Sequence, residues 1–501
     1  MPWALTYVSG FAMIILVFIL QAHFQTKIAF TMRKKNPLTL YLLADGARPD
    51  IFKRLLDEGE LPNIEREFLK NGTFRTASSC FPSTSGVAYL PMIYGGFPGT
   101  LDVPGIRWFD KMEFRSNRLG KPAVRSYIGP QVKYFIDDIK AGYPSLHELF
   151  DRPFNIYSML NKGVPKQNDL GEKGKAWMFI RAHYFFAYQP VDEVAHRRMM
   201  AGLDLDPDFF FVVFPCIDWN GHQYQPEHDE TIKSYKFLDF SVGQVVEKLK
   251  KLGRWDDTLL IITSDHGMTA TQSHLDIADF LGEQGLKTIA HPNIFKLNPD
   301  AAVMISGNAF GSIHVLKNNN EILKGDDVKS AMGSEVFESL LARPEVDFLT
   351  WRGDQSDFWV ASKNGKARIV HKGGLSYQPV TGDPFGFGPL DQPLDNRQAL
   401  DATFHSKYPD ALVQIEQLFR SSRAGDLVVS AAPGYDLRDF WEIPEHHGSH
   451  GSLHREHILV PFIYNQQGWD DRPARTVDIF NTILKWMGKE VQEASDGRAL
   501  F

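Results

Sequence analysis

The chain reads as an α/β protein with a largely parallel central sheet flanked by helices, and three observations carry that expectation. Leu38 to Ala44, Phe209 to Phe214 and Leu259 to Thr263 are apolar runs of strand length, as strands buried on both faces should be. Each run ends in a polar or Pro/Gly-containing turn. Between them lie segments with apolar residues at helical spacing, and alternation of this kind argues for parallel strands joined by helices.

Taken in order, the first strand stops at Asp45-Gly46, Pro49 opens a helix through Leu56, and Gly59 closes it. A second helix is expected from Pro62 to Lys70, stopped by Asn71-Gly72, and Phe74 to Cys80 reads as extended. The turn Cys80-Phe81-Pro82-Ser83-Thr84-Ser85-Gly86 runs into an apolar stretch from Val87 to Tyr94. After the strand at Phe209, the residues Ile232, Tyr235, Leu238, Val242, Val245, Leu249 and Leu252 mark one face of a helix that Gly253 ends. The strand Leu259 to Thr263 follows. From 297 to 425 the pattern becomes irregular, with Asn318-Asn319-Asn320 and a Gly/Pro-rich stretch near Gly382 to Pro393, which reads as an inserted cap beside the site. Leu427-Val428-Val429 and Ile458 to Tyr464 return to strand patterning, and Val477 to Trp486 is a closing amphipathic helix. The expected organisation is an N-terminal membrane anchor over 1–31, core over 32–296, cap over 297–425 and core again over 426–501.

With 501 residues, 43% of them hydrophobic, the chain can bury a large core. A net charge of -7, with Arg33-Lys34-Lys35 as the only compact basic cluster, argues against nucleic-acid recognition but leaves a nucleotide open as substrate. Cys80 and Cys216 both lie in apolar neighbourhoods and read as buried thiols. Trp3 to Ala22 carries no charge and has the length of a membrane-spanning helix. Lys27, Arg33, Lys34 and Lys35 follow it, which favours a cytoplasmic location for the catalytic part. Initiation at Met32 instead would give a soluble protein.

The residues fitted for chemistry gather at predicted strand ends. Ser264-Asp265-His266-Gly267 places a carboxylate beside an imidazole, a pair suited to a divalent metal and equally to a surface turn. Asp218 and His222 stand four residues apart after the strand at Phe209, and a helix there would put both on one face. Glycines flank His450, leaving room for an ion, although His446, His447, His454 and His457 compete with it. Asp45 is the first polar residue beyond the first strand. Ser83, Thr84 and Ser85 offer either a helix cap or a nucleophile.

Together, Asp45, the Ser/Thr turn, Asp218 with His222, Asp265 with His266, and His450 resemble the alkaline phosphatase superfamily in order and local sequence. The stretch from Pro82 to Gly95 resembles its type I phosphodiesterase/nucleotide pyrophosphatase branch. The resemblance covers roughly Leu38 to Pro292 and Gly425 to the C-terminus, and implies an alkaline phosphatase-like core. It implies two divalent ions, zinc for preference, one on Asp218, His222 and His450 and the other on Asp45, Asp265 and His266. Ser85 is the implied nucleophile, with Thr84 as the fallback. The implied reaction is in-line hydrolysis of a phosphoric diester or pyrophosphate, from a nucleotide or a lipid headgroup, through a phosphoryl-serine.

Two departures qualify the resemblance. Ala88 stands where that branch commonly has an asparagine, so another donor must hold a phosphate oxygen, the candidates being Asn308, Arg107 and Arg125. Thr84 stands where a sulfatase signature requires arginine, which argues against a sulfatase. The alternatives carried forward are a phosphomonoesterase, a phosphoryl transferase acting on lipid headgroups, and a non-catalytic membrane-tethered binding protein.

Overall fold

The computed structural model describes residues 37–116, 123–171, 188–291, 298–316, 321–437 and 445–501. Its central sheet has seven strands: β1 (Leu38–Ala44), β2 (Thr73–Ser78), β3 (Pro153–Ile156), β4 (Phe209–Phe214), β5 (Thr258–Thr263), β6 (Leu459–Tyr464) and β7 (Ala474–Arg475). Their order is β7-β2-β6-β5-β1-β4-β3. Every residue of β1, β4 and β5 is buried, which is why these strands read as unbroken apolar runs.

β1 is parallel to both β4 and β5, with Ala44 opposite Phe214 and Leu43 opposite Thr263. The carboxyl ends of these three strands therefore stop level, and Asp45, Pro215 and Ser264 emerge side by side. β6 is antiparallel to β5 and to β2, so the sheet is mixed and not uniformly parallel. This reversal brings the start of β6, and the loop carrying His450 before it, to the same edge. β2 runs with β1, so the turn that holds Ser85 also leaves there. Five segments distant in sequence meet at one sheet edge, the place where open α/β sheets bind ligands.

Helices α1 (Pro49–Asp57), α2 (Cys216–Tyr224) and α3 (Asp229–Lys251) accompany these strands. The predicted stripe on α3 is buried at Tyr235, Leu238, Val242, Val245 and Leu249. Leu252 instead caps the helix and is 42% exposed.

A second sheet of nine strands spans residues 288–431, and the segment 297–425 contributes all but its first and last strands in chain order. Its hairpin of Ala301–Ser306 and Phe310–Val315 turns at Gly307–Ala309 and touches the core at the bridge between Asn308 and His450. A small three-stranded sheet pairs Thr269–His274 with Gly448–Ser449, which holds the His450 loop against the chain leaving His266. The apolar stretch 3–22, read above as a membrane anchor, lies outside the described residues. Among the described residues no helix is long and apolar enough to cross a membrane.

Candidate metal centre and nucleophile

The strand ends supply six ligand candidates in two groups, Asp45 with Asp265 and His266, and Asp218 with His222 and His450, each group having its ligand atoms within 4.8 Å of one another. β1 delivers Asp45, whose amide bonds the Phe214 carbonyl at 3.1 Å. Gly46 then turns the chain at φ 75°, and its amide donates to Asp265 Oδ1 at 3.4 Å. β4 passes through Pro215 into α2, so the helical repeat puts Asp218 and His222 on one face with Oδ1 and Nε2 3.3 Å apart. β5 delivers Ser264, whose hydroxyl donates to the His266 carbonyl at 2.6 Å, and then Asp265 and His266.

The three imidazoles share one orientation. Nδ1 of His222 faces the Gly448 carbonyl at 2.7 Å, Nδ1 of His266 faces the Gly267 carbonyl at 2.9 Å, and Nδ1 of His450 faces the Ser83 carbonyl at 3.0 Å. A carbonyl only accepts, so the network assigns the proton to each Nδ1 and leaves each Nε2 lone pair aimed into the cluster. There His450 Nε2 stands 3.2 Å from His222 Nε2, and His266 Nε2 stands 3.3 Å from Asp265 Oδ2 and 3.5 Å from Asp45 Oδ1. The His266 and His450 rings stack at 3.6 Å, joining the two groups.

This arrangement fits divalent cations on physical grounds. Asp218 Oδ1 and Asp265 Oδ2 are buried oxygens that no hydrogen bond reaches. Burial, then repulsion from Asp265 and Asp218, pushes the Asp45 carboxyl well above its ordinary range; burial also raises Asp265. Burial pushes His450 well below 6.5 and keeps it neutral. Three buried carboxylates facing three neutral lone pairs need cations between them. Asp and His donors without cysteine suit a borderline ion such as zinc.

Of the three hydroxyls in the Ser83–Ser85 turn, that of Ser85 is bonded to this cluster: Oγ donates to Asp45 Oδ1 at 3.1 Å and lies 2.9 Å from His266 Nε2. Thr84 is buried, with its amide on the Pro82 carbonyl and its own carbonyl accepting from Ala88. Sequence reasoning missed Tyr89, whose hydroxyl donates to the other Asp45 oxygen at 2.8 Å. Its position four residues after Ser85, on one face if that turn is helical, was the available signal.

The crowd of histidines resolves by tertiary partners. His457 is buried between Thr269 and Ser452, His454 caps the short helix Arg455–Ile458, and His447 is exposed. His446 packs on His222 with ring centroids 4.4 Å apart. Of the three proposed phosphate donors, Arg125 belongs to the core, its Nε 2.7 Å from Asp138 Oδ2 with both side chains buried, because an unpaired guanidinium could not stay there. Arg107 meets Ser306 through its backbone and lines a small pocket with His291 and Leu437. Asn308 alone of the three sits directly beside the ligand candidate His450.

The family described as type I phosphodiesterase/nucleotide pyrophosphatase matches this chain over residues 39–365. Among curated proteins, bis(5'-adenosyl)-triphosphatase ENPP4 of Pongo abelii is 37% identical over 114 residues, 21% of this chain and 24% of that protein. GPI ethanolamine phosphate transferase 1 of Saccharomyces cerevisiae is 31% identical over 96 residues, 18% of this chain and 10% of that one. The chain thus spans about a quarter or less of the length of these relatives. Among solved structures, phosphonoacetate hydrolase from Sinorhizobium meliloti in complex with phosphonoacetate superposes with a TM-score of 0.56 at 16% identity, covering 90% of this chain and 96% of that one. The fold is accordingly the α/β, alkaline phosphatase-like one.

Proposed function

The chain belongs to the type I phosphodiesterase/nucleotide pyrophosphatase family, and from that premise we propose that it hydrolyses phosphoric diesters or pyrophosphates through a phosphoryl-serine on Ser85. The observation that carries this reading is the Ser85 hydroxyl held between Asp45 and His266 at the rim of a buried cluster of three carboxylates and three imidazoles. We propose zinc as the metal, with Asp45, Asp265 and His266 holding one ion and Asp218, His222 and His450 the other. Bound there, two such ions would supply Lewis acidity, lowering the pKa of a hydroxyl or water and neutralising charge that develops on phosphoryl oxygens.

The remaining chemistry belongs to the chain's own residues. Asp45 Oδ1 accepts the Ser85 hydrogen bond, which turns the hydroxyl proton toward the carboxylate and leaves an Oγ lone pair for phosphorus. Tyr89 binds the other Asp45 oxygen and fixes the carboxylate plane. Attack forms the Oγ–P bond as the hydroxyl proton passes to Asp45 Oδ1 and the bond to the leaving oxygen breaks, its electron pair leaving with that oxygen. Water then enters opposite Oγ, on the side of Asp218, His222 and His450. The water oxygen bonds phosphorus and gives up a proton to solvent as the Oγ–P bond breaks, Asp45 returns the proton to Oγ, and a phosphate monoester is released.

A nucleotide substrate is supported by the similarity to the bis(5'-adenosyl)-triphosphatase, and transfer of a lipid-headgroup phosphoryl by that to the ethanolamine phosphate transferase. A phosphomonoesterase remains the third chemistry of this site. We also propose that residues 3–22 anchor the chain in a membrane with the catalytic part on the cytoplasmic side, and that 297–425 caps the site. The six candidate ligands, all present, speak against a non-catalytic binding protein. The test is to assay metal-loaded protein against bis-nitrophenyl phosphate, the corresponding monoester and diadenosine triphosphate, with metal content read in parallel. Hydrolysis of the diester or of the dinucleotide, at two ions per chain, is expected. A protein that binds no divalent ion, or cleaves only the monoester, overturns the reading.

A further inference from the structure

Asn308 and His446 form a pair beside the metal centre that the ligand groups do not use. Asn308 occupies the turn between Ala301–Ser306 and Phe310–Val315, in the left-handed region at φ 65°. Its backbone is locked on both sides. His450 donates to the Gly307 carbonyl at 3.0 Å, Ala309 donates to the His450 carbonyl at 2.9 Å, and Leu437 donates to the Asn308 carbonyl at 2.6 Å. Glycine would serve this backbone with less strain, yet the position carries an amide that is 5% exposed. That amide nitrogen lies 3.3 Å from His446 Nδ1, and the His446 ring packs on His222. Donation to Nδ1 places the His446 proton on Nε2 and leaves the second N–H of Asn308 for another acceptor.

The Ser85 and Tyr89 hydroxyls face elsewhere. Ser85 and Tyr89 both direct their hydroxyls to Asp45, on the nucleophile side. Resting on the hydrolase reading above, we propose that Asn308 is a substrate-binding residue that donates to a non-bridging phosphoryl oxygen on the His222 and His450 side. His446 is the positioning residue that fixes the rotation of the Asn308 amide. A phosphoryl group seated between the two metal groups would then meet a neutral donor opposite Ser85, fixed in place before the substrate arrives.

The test measures binding of inorganic phosphate by calorimetry to the full chain, metal-loaded and carrying Ser85→Ala so that no covalent adduct forms. Asn308→Gly removes the amide without straining the turn and should weaken phosphate about tenfold, the usual effect of losing a hydrogen bond to a charged group. Asn308→Asp, which puts an acceptor against the anion, should weaken it further. His446→Ala should weaken phosphate by about threefold to fivefold, within the range of one neutral hydrogen bond, and His446→Asn, which keeps an acceptor near the position of Nδ1, should restore it. The double variant Asn308→Gly/His446→Ala should bind no more weakly than Asn308→Gly alone, because His446 acts through Asn308.

All variants should retain two ions per chain. Unchanged phosphate affinity in Asn308→Gly overturns the inference, as do additive effects of the two substitutions. Loss of an ion in His446→Ala overturns it too, by making His446 a ligand. Diesterase activity of the parent enzyme is read separately, so unchanged phosphate affinity in Asn308→Gly beside an active parent removes this inference and leaves the hydrolase reading standing. A parent that neither cleaves diesters nor binds phosphate removes both.

Discussion

Ser85 Oγ stands 2.9 Å from His266 Nε2 and 3.1 Å from Asp45 Oδ1, two ligand candidates of the same group. A serine hydroxyl is a poor nucleophile until its pKa falls, and here it is held where a bound cation would act on it. Ser85→Ala should therefore lower kcat for a diester by about a thousandfold or more, with metal content and Tm close to those of the parent. Thr84→Ala should keep most of the activity. Acid quenching followed by peptide mass spectrometry should find phosphate on the peptide containing Ser85, and recovery of the label on Thr84 would reverse the assignment.

Gly46 lets β1 end against α2. A Cβ at this position would come within 2.9 Å of both Cα and Cβ of Asp218, and φ is already 75°. Gly46→Ala should cost about 1–2 kcal/mol from the backbone alone, with a further loss as Asp218 is pushed away. The comparison is Gly59→Ala, where φ is 72° and nothing lies within 4 Å of the new methyl. Both variants should lower Tm, but only Gly46→Ala should release metal at a lower chelator concentration. Equal chelator sensitivity in the two would detach Gly46 from the Asp218 site.

The apolar runs of β1, β4 and β5 were legible in the sequence because strands buried on both faces admit few polar residues, and the ligand candidates were legible because they follow those runs directly. Strand direction was not. Leu459–Tyr464 is as apolar as its neighbours, and nothing in an apolar run says that β6 is antiparallel to β5. The histidines from 446 to 457 were equally opaque locally, since one of the two partners that hold His457 in the core, Thr269, lies far away in sequence. Tyr89 was hidden inside an apolar stretch, where its ring reads as core and its hydroxyl goes unnoticed. Arg125 misled for the opposite reason: its charge suggested a ligand, while its partner Asp138 comes from beyond an intervening turn.

Arg125 and Asp138 form a buried pair, with Tyr127 donating to Asp138 Oδ2 at 3.1 Å and the guanidinium 5.6 Å from the Trp108 ring centre. Removing one partner leaves a buried charge, so Arg125→Met should destabilise the protein by roughly 3–5 kcal/mol. Adding Asp138→Asn should recover part of that loss in the double variant. KM for a diester, measured on the folded fraction, should stay within about twofold of the parent, since surface and core positions away from the site act on stability rather than binding. A large rise in KM with unchanged Tm would return Arg125 to the substrate.

Asp192 supplies a pH test that is separable from the candidate metal ligands. It lies on the helix Gln189–Gly202, is 1% exposed, and accepts from the Cys216 amide at 3.3 Å at the start of α2, while its Oδ2 has no hydrogen-bond partner. Burial raises its carboxyl from 3.8 to about 7, against the opposing hydrogen bonds from Cys216. Below about pH 4 the group is protonated in both folded and unfolded chains and costs nothing. Between there and about pH 7 the unfolded chain ionises first, so the folded state loses stability as pH rises, and above about pH 7 the full penalty applies, at most about 4 kcal/mol. Asp192→Asn keeps an oxygen for the Cys216 amide and removes the ionisation. Its Tm should exceed that of the parent least at pH 4.5, by a margin that widens to about pH 7 and levels off toward pH 8, both proteins being saturated with metal so that titration of the candidate ligands cancels in the difference. A Tm difference that stays constant across this range, or that favours the parent at pH 8, would show that the Asp192 carboxyl is ionised in the folded protein and stabilises the start of α2 as a charge.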